Sequence, residues 1–180
     1  MNKLKTYRMA LAKVFPKSHN RAGEPTNFAD KIREGEKIHT IREGFSKWES
    51  KIKKIQEGKA QLVIFEWEGK PYRSKQKDLY IITKDRIYGT SDGDYAYGKP
   101  AKIGIEKVTL QIPHLCTMHW VLNDKQEFLI NNGIVSNDGF IYYDDFIEWF
   151  KPFKININRE YAIIHFTDFR YNKEVEENEH

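Results

Sequence analysis

A lysine, a histidine, a threonine and an arginine occur within six consecutive residues, Lys37–Arg42, soon after a glycine of the kind that ends helices. A strand is predicted here, and the side chains of a strand point alternately to its two faces. Lys37 and His39 are therefore expected on one face, and Thr40 and Arg42 on the other. Two structures fit this pattern: a strand lining a polar pocket that presents reactive groups, or an edge strand with solvated charges.

A second chemically distinctive segment is the hexapeptide 72–77, which combines three cations, a tyrosine and two hydrogen-bonding side chains beside a predicted turn. Arginine can bind a phosphate through two hydrogen bonds, and a tyrosine ring can stack on a nucleobase. The segment therefore predicts contact with an anionic partner, and a solvated hairpin end is the alternative. The residues predicted to bind a ligand here are Tyr72, Arg73, Ser74 and Lys75.

Charge is distributed unevenly along the 180 residues, although the net charge is only +4. Residues 1–60 contain 15 Lys/Arg against 7 Asp/Glu, whereas residues 111–180 contain 6 against 12. A basic half favours a polyanionic partner through attraction to phosphates. Ordinary solvated lysines on an amphipathic helix are the alternative.

Several classes of protein are disfavoured by the composition. No apolar run approaches the ~20 residues that a membrane helix needs, and no secretory signal is evident, so neither a membrane partner nor secretion is expected. The single cysteine, Cys116, excludes an internal disulfide framework and favours a reducing, cytoplasmic environment. One cysteine and six scattered histidines show no metal-ligand spacing, and no cofactor motif is present, so no metal or cofactor is expected.

The elements that must position these residues are mostly short strands. Strands are predicted at Lys5–Val14, Gln61–Trp67, Leu79–Thr83, Ile103–Ile112, His114–Leu122, Glu127–Ile130 and Arg159–Tyr171. Helices are predicted between Thr26, as N-cap, and Gly35, at Phe45–Glu57 with a stripe of Trp48, Ile52 and Ile55, and around Tyr142–Phe150, ended by Pro152. Loops are predicted at Phe15–Pro25, Tyr88–Pro100 and Asn131–Gly139. The pattern predicts an α+β fold, a small β-barrel of about five to seven mostly antiparallel strands with short covering helices. It forms a single domain over residues 1–172, followed by an acidic flexible tail over residues 173–180.

Two segments resemble the signature of the ASCH domain, a branch of the PUA-like RNA-binding superfamily. The first is Phe28-x-x-x-Ile32-x-x-Gly35-x-Lys37-x-x-Thr40-Ile41-Arg42. The second is Asn137-Asp138-Gly139-Phe140, followed by the helix containing Asp145-Phe146-x-x-Trp149-Phe150. The resemblance covers most of the chain in order, and it implies a PUA-like barrel with a cleft for a nucleobase or nucleoside.

Some ASCH proteins remove the acetyl group from N4-acetylcytidine, and others have been linked to RNA binding or cleavage. The resemblance implies a catalytic set of Lys37, Thr40 and Asp138, with aspartate where the family's amidohydrolase has glutamate. Thr40 would be the nucleophile, Lys37 its base and Asp138 the acid or the orienting group. Lysine acts as a base only if its pKa falls toward neutrality, and Arg42 is a candidate neighbour for lowering it. A carboxylate paired tightly with Lys37 would oppose that shift and favour binding over chemistry.

Three hypotheses remain open from the sequence. The first is an ASCH-type module that binds RNA or a modified nucleoside in a cleft at Lys37, Thr40 and Arg42, with His39 as a further ligand-binding residue. The second is an amidohydrolase acting on an acylated nucleoside. The third is a protein-interaction module of phage or mobile-element origin.

Overall fold

The computed structural model describes residues 4–91, 98–111, 119–122, 126–129, 132–150 and 160–171. The strands are β1 (Lys5–Ala10), β2 (His39–Glu43), β3 (Ala60–Trp67), β4 (Gln76–Ile82), β5 (Arg86–Gly89), β6 (Lys99–Pro100), β7 (Gly104–Gln111), β8 (His119–Leu122), β9 (Gln126–Leu129) and β10 (Glu160–His165). The helices are α1 (Phe28–Glu34), α2 (Phe45–Gln56), α3 (Asn132–Asn137) and α4 (Tyr143–Phe150). Within these ranges, every helix is too short or too polar to cross a lipid bilayer.

The strands form two five-stranded sheets, in the orders β1-β3-β4-β5-β6 and β2-β10-β7-β8-β9. β1 runs parallel to β3, and all other pairs are antiparallel. The predicted α+β class is confirmed, but the expected five to seven strands are too few. In the described part of the chain no backbone ladder joins the two sheets into one closed barrel, because β1 pairs with β3 and β2 pairs with β10.

The core lies where the two sheets and α2 meet. β3 and β10 carry nearly continuous apolar runs that are buried on both faces, as expected for central strands. α2 packs against β3, β7 and β10. Its predicted apolar stripe is confirmed, because Ile52 and Ile55 are fully buried and Trp48 packs against the same core.

Several predicted boundaries were wrong around the first helix. β1 ends at Ala10 rather than at Val14, and Val14 instead forms an isolated bridge with Pro25. Asn27, not Thr26, is the residue before α1, and it makes no side-chain cap. The Thr26 hydroxyl instead donates to the carbonyl oxygen of Ala12 at 2.7 Å, which fixes the start of α1 against the chain leaving β1.

Other corrections concern the later elements. The predicted loop at residues 88–100 contains the end of β5 and the short β6, and the predicted loop at residues 131–139 contains α3. The closing strand is shorter than predicted, spanning Glu160–His165. Predictions for Pro152, for parts of the strands near residues 112–131 and for the acidic tail fall outside the described residues.

Candidate functional site

A buried ion pair joins the two chain segments that the sequence singled out. The Lys37 ammonium donates to Asp138 Oδ1 at 2.6 Å and also to the Asp138 carbonyl oxygen. The two side chains are only 1% and 5% exposed. The ammonium also lies 4.5 Å from the centre of the Phe28 ring, which provides a cation–π contact from α1. The structure therefore brings Lys37 and Asp138 together across 101 positions of sequence.

A glycine with a left-handed backbone lies close to each member of the pair and helps to position Lys37 and Asp138 side by side. Gly35 ends α1 in the left-handed conformation at φ 82°, which turns the chain toward Lys37. Gly139 follows Asp138 with φ 86°, and a Cβ atom there would lie 3.1 Å from the Lys37 side chain and 3.2 Å from the Phe28 ring. The Ile38 amide donates to the Asn137 carbonyl at 3.0 Å, which ties the two segments together.

Both members of the pair, Lys37 and Asp138, are mainly charged at neutral pH. Burial lowers the pKa of Lys37 to about 8, although the charge of Asp138 opposes this shift. Burial by itself would raise the pKa of Asp138, but the charge of Lys37, together with contacts from His39, gives a net lowering. Arg42 also lowers the pKa of Lys37, as expected from the sequence, but its effect is smaller than that of burial. Lys37 is therefore mainly a cation at pH 7, held by its carboxylate.

Thr40 and Arg42 lie in the wall of a small cavity that Lys37 and Asp138 also line. The cavity holds about 10 Å³, enough for at most one water molecule. Arg42 Nη2 donates to the Ala10 carbonyl at 2.7 Å, so this predicted ligand-binding group also links β2 to β1. The Thr40 hydroxyl makes no hydrogen bond to any described residue, including Lys37. Threonine and lysine thus share a cavity, but they are not engaged as nucleophile and base.

His39 is fully buried beside Asp138, and its surroundings differ from those of a ligand-contacting residue. Its Nε2 lies 2.8 Å from the Tyr171 hydroxyl, which also accepts from Asn137 Nδ2 at 3.0 Å. Burial raises the pKa of Tyr171 and lowers that of His39 to about 4, so a protonated phenol donates to a neutral imidazole. His39 Nδ1 then carries its proton 3.7 Å from Asp138 Oδ1, beyond hydrogen-bond length. This position fits support of Asp138 better than direct ligand contact.

A second buried polar pair lies next to His39 and was missed at the sequence level. His165 is opposite His39 in the β2–β10 ladder, and the centres of their rings are 5.5 Å apart. His165 Nε2 lies 2.6 Å from Glu106 Oε2, which also accepts the Tyr171 backbone N–H at 3.1 Å. Burial lowers the pKa of His165. His165 lies in the predicted strand Arg159–Tyr171, but only the sheet register identifies its partners.

A much larger cleft lies beside the small polar cavity, and the two share Leu11, Ala12 and Trp149 in their walls. Its volume is about 540 Å³, within the range of small-molecule sites. The walls are mainly apolar, with Phe15, Trp67 and Trp149 as the aromatic members. A smaller cleft of about 290 Å³ lies between α1 and β4, and it is lined by mixed charges that include the ion-paired Asp30 and Arg33. The larger cleft is the better suited of the two to a flat apolar ligand.

The predicted anion-binding segment, residues 72–77, spans the end of the turn between β3 and β4 and the first two residues of β4, next to this large cleft. Gly69 and Pro71 of the turn line the cleft, as does Trp67 at the end of β3. The Tyr72 ring packs beside Trp67, with ring centres 5.4 Å apart. Ser74 has an internal role, because its hydroxyl accepts the Gly69 N–H and donates to the Lys70 carbonyl, both at 3.0 Å. The exposed side chains in the turn include those of Tyr72, Arg73 and Lys75.

No three His, Cys, Asp or Glu side chains are clustered for metal binding within the described ranges. Comparison of the sequence with protein families and with curated proteins, and of the fold with solved structures, finds no match.

Proposed function

We propose that this protein is an ASCH-type, PUA-like module that binds RNA or a modified nucleoside, with a nucleobase in the cleft between Trp67 and Trp149. The observation that carries the proposal is the buried Lys37–Asp138 ion pair in a polar cavity that shares three wall residues with a nucleoside-sized apolar cleft. A nucleobase has apolar faces and a polar edge, and this arrangement offers a matching surface to each.

The polar groups offer both kinds of hydrogen bond that a base edge requires, relayed through the single water molecule that their cavity can hold. The Lys37 ammonium has three protons, and two of them are directed at Asp138. The Thr40 hydroxyl can donate or accept, and it has no other partner in the described residues. A buried group held in place by an ion pair loses little entropy on binding, so these groups are preorganised.

The PUA-like part of the proposal is supported by the way the two sheets meet. β1 and β2 are edge strands of different sheets, and Arg42 on β2 donates to the last carbonyl of β1. Such a link between edges fits sheets that curve toward each other around a shared core. The ligand cleft opens beside this link, because Leu11 and Ala12 follow β1 directly.

Binding can be measured through the protein's own fluorescence, since Trp67 and Trp149 line the cleft. We expect saturable quenching by ribonucleosides or by N4-acetylcytidine. Thr40→Val, which removes the hydroxyl at nearly constant volume, should weaken binding by about tenfold, corresponding to one lost hydrogen bond of ~1.4 kcal/mol. Thr83→Val is the matched control, because the exposed Thr83 hydroxyl donates to the nearby Arg86 carbonyl at 3.2 Å and Thr83 does not line the cleft. Absence of saturable binding by nucleosides and by single-stranded RNA would refute the proposal.

Amidohydrolysis of an acylated nucleoside is the second candidate. It is favoured by the pKa of Lys37, lowered to about 8, and by the unengaged Thr40 hydroxyl in the same cavity wall. The Thr40 oxygen would attack the acetyl carbon while its proton passes to Lys37 in its uncharged form. The bond from the acetyl carbon to N4 would then break as Lys37 returns that proton to the leaving nitrogen, which releases cytidine. Water would finally hydrolyse the acetyl-threonine ester to acetate and free Thr40. Incubation with N4-acetylcytidine should then release cytidine, and Thr40→Ala should abolish the release. Turnover equal to wild type in Thr40→Ala would exclude this mechanism.

A further inference from the structure

The turn between β3 and β4 holds an aromatic side chain in water at an unusual backbone angle. Tyr72 has φ 64°, a left-handed conformation that non-glycine residues seldom adopt, and it is 90% exposed. The turn is nevertheless well ordered by hydrogen bonds, because the Arg73 N–H donates to the Lys70 carbonyl at 3.1 Å and Ser74 bonds within the turn. Such strain persists only where the surrounding structure enforces it, and it is typical of functional positions.

The Tyr72 ring lies beside the large cleft, where it could contact a bound ligand. Trp67 contributes to the cleft wall, and Tyr72 packs beside it on the solvent side. We call this pair, Trp67 and Tyr72, the aromatic platform. The platform thus adds aromatic surface beside the cleft, because the Tyr72 ring contacts Trp67 without itself lining the cleft wall.

The charges around the platform are mainly positive. The turn segment 68–75 contains Lys70, Arg73 and Lys75 against a single acid, Glu68. Lys13 and Lys17 line the adjacent cleft and are exposed. The described part of the chain offers no ion-pair partner to Arg73 or Lys75, so both cations are available to an external anion.

Aromatic rings beside exposed cations are the features by which proteins hold successive nucleotides of a single strand. Resting on the proposed function, we infer that the aromatic platform is a second subsite, which takes the nucleotide adjacent to the one in the cleft. The base of that nucleotide stacks on Tyr72, and the phosphate between the two nucleotides meets the cations of the turn. The ligand is therefore a single-stranded RNA segment, because a free nucleoside would leave the platform unused.

The test compares four ribonucleosides with a fluorescein-labelled, mixed-sequence RNA of ten nucleotides. Tyr72→Asn removes the ring and tolerates the left-handed backbone, whereas Tyr72→Phe keeps the ring and is the matched control. Tyr72→Asn should weaken RNA binding by about 5- to 150-fold, the range for one lost base–aromatic stack. Its nucleoside affinity should stay within twofold of wild type, and Tyr72→Phe should match wild type with both ligands.

Salt dependence provides an independent readout of the phosphate contact. Arg73→Gln/Lys75→Gln should reduce the slope of log affinity against log salt by about one to two for RNA. Nucleoside affinity should not change in this variant.

The outcomes separate this inference from the proposed function. Nucleoside binding with unchanged RNA affinity in Tyr72→Asn would overturn the second subsite and leave the cleft proposal standing. Equal loss in Tyr72→Asn and Tyr72→Phe would also overturn it, since stacking needs only the ring. If neither nucleosides nor RNA bind the wild-type protein, both the proposed nucleobase site in the cleft and the second subsite are refuted. That result would favour a protein partner for this surface.

Discussion

The buried Lys37–Asp138 pair should make the free energy of unfolding sensitive to substitution at either residue, with or without a ligand. At 2.6 Å and an effective dielectric constant of ~20, the attraction between the two charges is about 6 kcal/mol. The desolvation of two buried charges offsets much of this attraction. Removing one partner leaves the other charge buried without compensation, which typically costs about 3–5 kcal/mol. The pair should therefore be strongly coupled even if its net contribution is small.

We expect Lys37→Met and Asp138→Asn each to lower the free energy of unfolding by about 3–5 kcal/mol at pH 7. The double variant should be less destabilised than the sum of the two single variants by at least ~2 kcal/mol, because it leaves no buried charge behind. The Asp138→Asn penalty should shrink between pH 6 and pH 9, since the lowered pKa of Lys37 lets this side chain lose its proton in the fold.

Urea unfolding followed by tryptophan fluorescence gives the required free energies, because the chain contains four tryptophans. Asp78→Asn is a suitable control, since Asp78 pairs with Arg8 at the surface with both side chains about 40% exposed. This control should change stability by less than ~1 kcal/mol. If Lys37→Met and Asp138→Asn each change the free energy of unfolding only slightly, and their effects simply add in the double variant, the reasoning that an ion pair holds the two segments together is refuted.

Three further predictions concern residues around the site. The contribution of His39 to stability should be complete above about pH 6.5 and should fall by up to ~3 kcal/mol toward pH 4, because the unfolded chain protonates His39 more readily than the fold does. His39→Gln should reduce the slope of the urea midpoint against pH over this range, and the remaining slope includes the contribution of His165, whose pKa is also lowered by burial. Gly139→Ala should destabilise by more than ~1 kcal/mol in the same assay, since its left-handed backbone disfavours a side chain and the new Cβ would crowd Lys37 and Phe28. Ile52→Ala should lower the thermal midpoint and reduce the free energy of unfolding by about 2–5 kcal/mol, because Ile52 is fully buried on the inner face of α2. Lys53→Ala is the control on the same helix, and it should have little effect because Lys53 is exposed.

Local patterns predicted several elements because their causes are local. Gly35 ends α1 because its backbone must turn left-handed there, and the apolar spacing of α2 gives one buried stripe. The run of β-branched and aromatic residues predicts β3, and the largely apolar side chains on both faces predict β10. Thr26 lies one position before the N-cap, which is Asn27. Its hydroxyl donates to the Ala12 carbonyl and accepts the N–H of Phe28, the first residue of α1, at 3.4 Å.

The candidate site depended on contacts that no local pattern contains. A family resemblance, and not periodicity, pointed to Asp138 as the partner of Lys37. The division of the strands into two sheets and the burial of His39 behind Asp138 were decided by long-range pairing. The same pairing brought His165 to Glu106.

The sequence by itself determined which residues could react and which elements carry them, because residue type and short-range spacing are local properties. Only the tertiary structure decided that Lys37 is held as a cation by a buried carboxylate. It also decided that the Thr40 hydroxyl and Lys37 share a cavity wall without a hydrogen bond between them, and that Tyr72 packs beside Trp67 at a cleft formed by residues far apart in the chain. Burial and partner charge set those properties, and both arise only when distant segments pack together.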